Sequence, residues 1–206
     1  MRHRSLRLLA ASALALSIVG ANDGSTHAAS EDGVDYTPSG GPALDLVGTN
    51  LAVWFEGGQA IGCTDFELSG SLTAPGTTRP VGAPAGSVGG LTSSCSTDTG
   101  AAFAFTSGTW SFEVTGLATG TASPVRFTGA ELDWNAGGCQ VDMAGDLGGV
   151  FDTATQRFTP TSSTITPTSV TGTGCASLGI APGDTTEFGG YLTNVPPAGS
   201  TPLSLS

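Results

Sequence analysis

The sequence predicts an all-β protein, an antiparallel sandwich or barrel of about ten or more short strands held by two disulfides. Three observations predict it. Apolar and polar residues alternate at period two along much of the chain. No amphipathic helical stretch of useful length occurs, while Gly, Thr, Ser and Ala dominate and Lys is absent. Cys63, Cys95, Cys139 and Cys175 form an even set in a chain that opens like an exported one.

The opening comes first. Met-Arg-His-Arg-Ser-Leu-Arg is basic, and Leu8 to Gly20 is an apolar run of 13 residues followed by small ones, which is the layout of a secretory signal peptide over 1–28. A membrane-crossing helix needs about 20 such residues, so no transmembrane anchor is expected. Cleavage after Ala28 leaves a polar stretch behind Gly20, and cleavage after Ala21 also fits the small-x-small rule. No twin-arginine pair and no lipid-anchor cysteine is present. Residues 29–42, rich in Ser, Gly, Pro and acids, read as a flexible lead. Residues 43–193 read as one β domain and 194–206, with a Pro-Pro pair, as a loose tail.

Within the domain, Ala43 to Val47 and Leu51 to Phe55 read as strands broken at Gly48-Thr49-Asn50. Ile61 to Leu72 puts Phe66, Leu68, Gly70 and Leu72 on one face, with Asp65, Glu67, Ser69 and Ser71 on the other. Three prolines make Thr73 to Gly86 a loop, and Val88 to Cys95 follows as a strand. Ala101 to Thr106 and Thr109 to Thr115 suggest a hairpin around Ser107-Gly108. Val125 to Trp134 and Cys139 to Leu147 are strands, and Val150-Phe151 with Arg157-Phe158 frame a second hairpin. In Ile165 to Cys175, Pro167 marks an edge or a bulge. Glu187 to Thr193 is the last strand of the domain. A faint echo links Gly62-Cys63, Asp65, Gly70 and Leu72 with Gly138-Cys139, Asp142, Gly145 and Leu147, but the offsets differ by one residue, which would swap faces in a regular strand.

Three cysteine pairings are open. Cys63–Cys95 with Cys139–Cys175 is expected, because sequential pairing staples each half separately. Each bridge would contribute about 3–4 kcal/mol in the chain-entropy model. Zinc is not expected, because the cysteines lack C-x-x-C spacing and histidine partners.

Composition excludes much chemistry. After cleavage at Ala28, sixteen acids face three arginines, a net charge of −13, which disfavours nucleic acid and anionic membrane surfaces. The only histidines, His3 and His27, leave with the signal. An imidazole base for Ser or Cys nucleophiles and a Schiff-base lysine are therefore missing. No catalytic residue is assigned and no enzyme is expected. Carboxylates remain: Asp65 with Glu67, and Glu131 with Asp133, are same-face pairs at i and i+2. They would suit a carboxylate-only glycan hydrolase, the alternative function. No cofactor is expected. Calcium is the metal the acids would suit outside the cell, with Asp184 and Glu187, or Asp142 and Asp146, as candidate ligands. Trp54, Trp110 and Trp134 are candidate ligand-lining aromatics.

The Gly-Cys strand starts, Trp110 after the second cysteine, and Gly183-Asp184-x-x-x-Phe188-x-Gly190-Tyr191 resemble those of small actinobacterial secreted β-rich four-cysteine proteins of unknown function. The resemblance spans most of 45–193 and implies fold and compartment alone. The function expected is a secreted or cell-envelope structural or binding module whose ligand and partner the residues leave open. A pore or self-assembling envelope subunit is a further alternative. N-terminal sequencing of the exported protein should begin at Asn22 or Ala29; an intact Met1 would overturn both export and the loss of the histidines.

Overall fold

The structure, a computed structural model, describes residues 33–206. The leader at 1–28 and its cleavage sites lie outside the described residues. Two short strands, β1 (Asp35–Tyr36) and β2 (Pro38–Gly41), precede β3 (Ala43–Gly48), β4 (Leu51–Phe55) and the long β5 (Ala60–Leu72). Next come β6 (Arg79–Pro80), the long β7 (Pro84–Thr97), β8 (Ala102–Phe103), β9 (Thr106–Ser107) and β10 (Trp110–Val114). The second half runs β11 (Ala122–Ala136), β12 (Cys139–Asp152), β13 (Arg157–Ser163), β14 (Thr166–Thr171), a one-turn helix α1 (Cys175–Leu178), β15 (Thr186–Gly189), β16 (Leu192–Asn194) and β17 (Thr201–Leu205).

Antiparallel pairing closes eight of these strands into a ring: β3, β5, β7, β10, β11, β12, β13, β16 and back to β3. Each ring strand lies beside the next ring strand in the chain, so this is an up-and-down barrel, and closure removes the exposed sheet edges of an open sheet. The barrel is filled by its own side chains, as eight strands allow. Trp110, Phe127 and Phe158 are buried to within 1% exposure, and Phe127 meets the other two edge-on at 6.3 and 5.0 Å.

Four strands outrun the ring. On their far halves β5 pairs β4, β4 pairs β15, β7 pairs β8, β11 pairs β9, and β12 pairs β14. The wall thus parts into two sheets, β15-β4-β5-β7-β8 and β9-β11-β12-β14. They meet through aromatics: Phe103 stacks on Trp134 at 4.8 Å, and Phe105 bridges Phe103 and Phe66 edge-on. One disulfide secures each sheet. Cys63–Cys95 joins directly opposed residues of β5 and β7, and Cys139–Cys175 ties β12 to α1. The sequential pairing is the one found, and all four cysteines are buried.

The echo between the halves is a structural repeat. The register of β5 against β7 slips between Cys63 and Asp65, so Thr64 is an extra, bulged residue. With Thr64 set aside, Phe66 to Leu72 matches Val141 to Leu147 position by position. Phe66, Leu68 and Leu72 are buried, as are Val141, Met143 and Leu147. The acid that answers Asp142 is therefore Glu67 rather than Asp65. Gly70 and Gly145 coincide too. A Cβ on Gly70 would lie 2.6 Å from Val88 Cα, and one on Gly145 2.6 Å from Ile165 Cα. In each half a long strand crosses its partner's backbone where no side chain fits. Strands β3, β5, β7 and β10 thus correspond to β11, β12, β13 and β16, half a turn around the barrel. Each half also lends an arm: β9 pairs with β11 of the second half, and β15 with β4 of the first.

Several expectations need correction. Residues 35–41 of the expected lead are strands: β1 pairs β6, and β2 pairs β17 of the expected loose tail. Leu203 and Leu205, spaced i and i+2, bury one face of the tail, while Tyr36 is buried and donates its hydroxyl to Ala83 O at 2.7 Å. Gln156 ties the tail down by donating to Leu203 O and accepting from Leu203 N, both at 2.8 Å. These segments floor the barrel because its lower mouth would otherwise expose apolar core. The hairpin expected around Ser107-Gly108 does not form; β9 pairs only with β11, whereas β10 pairs β7 and β11. Helix α1 had no periodic signal at four residues. The Val150-Phe151 hairpin forms with Phe151 opposite Phe158, and Pro167 lies at a register shift on β14.

Leu203→Ala should lower unfolding free energy by about 2–4 kcal/mol in urea melts, the range for a buried leucine truncated to alanine. A change under about 0.5 kcal/mol, within the range of surface substitutions, would show that the C-terminal strand does not close the barrel.

Candidate functional site

The sequence candidates scatter. Trp110 and Trp134 are core residues, 1% and 3% exposed. The largely apolar space beside Trp110, under Leu51, Phe66, Phe188 and Leu192, amounts to about 20 Å³, roughly one water, and Trp134 shows only an edge to an open depression of about 310 Å³ shared with Thr106, Asp133 and Gln140. Trp54 differs: it stands on the outer face of the wall, 46% exposed.

The calcium candidates are separately engaged. Asp184 accepts from Ala181 N at 2.8 Å and shapes its own turn. Asp146 accepts from Gly129 N at 3.1 Å and Asp142 from Gln140 at 3.3 Å, while Glu187 lies on β15 opposite Trp54. Among the described residues no three His, Cys, Asp or Glu side chains gather closely enough to hold a metal ion.

Both carboxylate pairs lie on the outer face, and each has a cross-strand acid that linear spacing does not reveal. Glu67 is pushed above the ordinary carboxylate value chiefly by the charge of Asp45 on β3 and a hydrogen bond with it, then by burial and Asp65. Asp45 Oδ1 is itself buried without a hydrogen-bond partner. Asp133 is raised by burial first, then by Asp142, its direct partner across the β11–β12 ladder, and by Glu131. Like charges opposed across a ladder destabilise it. Glu131, Asp133 and Asp142 border an open depression of about 410 Å³ with Gln140, Met143, Ala144 and Thr168.

A larger depression lies where the barrel wall loosens. β13 and β16 pair only at Arg157–Thr193 and Phe158–Leu192. The chain then turns at Gly190, whose φ of 95° favours glycine, and β15 continues along β4 instead. Thr159 to Ser163 stay with β12, so β13 and β15 diverge. The groove between them, about 520 Å³, is lined by Pro160 to Ser163 and Thr185 to Phe188. Its far end is pinned: Ser163 Oγ and Thr186 Oγ1 share a hydrogen bond at 3.2 Å, and Thr186 Oγ1 donates to Ile165 O at 2.5 Å. Thr185 Oγ1 donates to Glu56 Oε2 at 3.2 Å. Thr161, Ser162 and Glu187 are exposed within it.

Beside this groove lies an aromatic strip that sequence reading reached only through Trp54. The six-membered ring of Trp54 leans over Gly189, where a Cβ would meet its Cη2 at 2.6 Å. Tyr191, 41% exposed, follows two residues on, and the Arg157 guanidinium sits 4.2 Å from its ring centroid. Gly190-Tyr191 stood in the motif near the end of the chain, but Gly189 did not, and its place under Trp54 depends on the pairing of β15 with β4. Compared with family models, curated proteins and solved structures, the chain matches none.

The acid clusters set a pH dependence. The folded values of Glu67 and Asp133 are raised, so the folded state holds more protons than the unfolded one between the ordinary and raised values, and stability falls as pH rises through that window. Asp152 is lowered, chiefly by the Ala154 N–H, so its contribution is present above the ordinary Asp value and lost as pH falls through the lowered one. The melting temperature should thus peak at mildly acid pH rather than at pH 7. Glu67→Gln with Asp133→Asn should raise it at pH 7 and flatten the acid rise; an unchanged profile in calorimetry would refute the clusters as its source.

Proposed function

We propose that this chain is an exported, non-enzymatic binding module of the extracellular or cell-envelope space, and that the face around the β13–β15 groove contacts its ligand. The compartment is supported by the leader, the two disulfides and the acidic composition. The observation that carries the binding surface is the exposure of Trp54, directly across the ladder from Glu187 of a polar groove, together with that of Tyr191 two residues beyond Gly189. Large aromatics are favoured contact residues because they bring much apolar area with few rotors to freeze. The carboxylate-hydrolase reading draws less support, since the raised acids sit on open outer strands rather than against apolar walls in a cleft.

The test uses the secreted protein with washed envelope material from the producing cells, alongside glycan, ester and peptide substrates. The expected outcome is cosedimentation without turnover, with binding weakened in a Trp54→Ala, Tyr191→Ala variant of unchanged melting temperature. Turnover that disappears in Glu67→Gln or Glu131→Gln, with the fold intact, would establish the hydrolase instead. Absence of any envelope binding would sink the module reading.

A further inference from the structure

The ligand class can be argued from the chemistry of that face, resting on the binding-module reading above. We propose that the Trp54–Gly189–Tyr191 strip and the adjoining β13–β15 groove form a binding site for a neutral glycan chain.

The argument begins with what the strip offers. Trp54 and Tyr191 present aromatic surface on the outside of the wall, and the absence of a side chain at Gly189 lets the indole lie across β15. Gly189 stands opposite Ala52 on β4, so the floor between the rings stays low. A sugar ring has one face of aliphatic C–H groups and a rim of hydroxyls. Its C–H face matches aromatic surface, whose negative quadrupole attracts the weakly positive hydrogens. Arg157 sits over Tyr191 and orders its ring before any ligand arrives, which lowers the entropy lost on binding.

The groove supplies the rest. Hydroxyls both donate and accept, and a glycan hydroxyl needs partners of both kinds. Thr161 and Ser162 provide exposed hydroxyls, Thr185 Oγ1 keeps an acceptor lone pair while it donates to Glu56, and the Glu187 carboxylate, directly across the ladder from Trp54, provides further acceptors. The groove's volume of about 520 Å³ lies within the ~300–1,000 Å³ typical of ligand sites. Its aromatic and hydroxyl portions adjoin, so one chain could lay one ring on the strip and the next along the groove.

Charge then separates glycans from other ligands. The described residues hold three cationic side chains, and each is engaged. Arg79 donates to the carbonyls of Pro84 and Thr73, Arg126 pairs with Glu113 at 3.1 Å, and Arg157 covers Tyr191. With Glu187 at the groove and a strongly acidic chain around it, a phosphate or carboxylate-bearing ligand would be repelled. An extended peptide would need a free strand edge to pair with. The facing edges of β13 and β15 are short, only four residues on the β15 side, and the Ser163–Thr186 hydrogen bond closes them at the far end, so a ladder formed there could not extend past Thr186.

Titration calorimetry of the secreted protein with maltohexaose, cellohexaose and chitohexaose tests the proposal. At least one should bind, and Trp54→Ala and Tyr191→Ala should each weaken it tenfold or more. Trp54→Phe should retain most of the affinity, Glu187→Gln should weaken it several-fold, and Leu117→Ala, on another exposed loop, should leave it unchanged. Melting curves confirm that each variant is folded. If none of the three sugars binds, nor competes for envelope sedimentation that the aromatic variants abolish, the glycan assignment fails while the module reading stands. Competition by an anionic polymer or a peptide instead would assign the face to that class. If no envelope binding occurs, the module reading fails first.

Discussion

Two long strands, β5 and β12, run across a neighbour's backbone at Gly70 and Gly145, so close that no side chain fits between. Most of the architecture follows from these crossings. Below them the strands share one hydrogen-bonded ring. At that level β12 exchanges β13 for β14, and β7 leaves β10. Above them the wall must part, because ladders splayed at the crossing cannot rejoin around the same circle. The two sheets that result need holding at their far ends, and that is where Cys63–Cys95 and Cys139–Cys175 lie. Glycine is therefore required at two positions for steric reasons, despite its entropic disadvantage in strands.

The all-β class, the two disulfides and most long strands were legible in the sequence because period-two alternation and cysteine parity are local signals. Ile61 to Leu72 shows this well, with its expected faces appearing as buried Phe66, Leu68 and Leu72. The halves' correspondence was partly legible. Its one-residue discrepancy could be resolved only by a bulge at Thr64, which is a property of pairing and not of composition. The floor of the barrel escaped for a different reason. Prolines and serines around 194–206 read as a loose tail, while two leucines two apart gave too short a pattern to outweigh them. Asp45 and Glu67 are neighbours through a ladder between strands separated by β4, and Asp142 opposes Asp133 only through the register of the β11–β12 hairpin, so spacing along one strand could not find either. Of the candidate site, Trp54 was legible as a residue and the groove was not, because the groove exists only where two pairings stop.

The packed interior shapes what the protein can do. With only about 20 Å³ open beside Trp110 in the core, recognition falls to the outer wall. There six acids form two clusters, the others are scattered, and the three arginines are occupied, so the surface repels anions while, among the described residues, no three acids gather closely enough to hold a metal ion. Against that background the β13–β15 divergence is distinctive: it joins hydroxyl groups, one carboxylate and two exposed rings on a rigid support. Loosening of the wall at this seam and stiffness elsewhere are complementary, since a binding face on strands keeps its geometry better than one on loops.

The reciprocal arms carry a consequence for how the chain is put together. No disulfide links residues 33–114 to residues 122–206. The halves join through β10 on β11, β16 on β3, β17 on β2, and the exchanged arms β9 and β15, with only the exposed 115–121 loop connecting them covalently. A cut in that loop would leave two stapled fragments that still complete each other's ladders, so the nicked molecule would remain associated under native conditions. Neither fragment alone could close a ring; each would carry two unpaired edges and seek a copy of itself. The chain is in that sense an asymmetric pair of joined halves, and the seam that carries Trp54 and Tyr191 has no equal on the opposite side of the barrel.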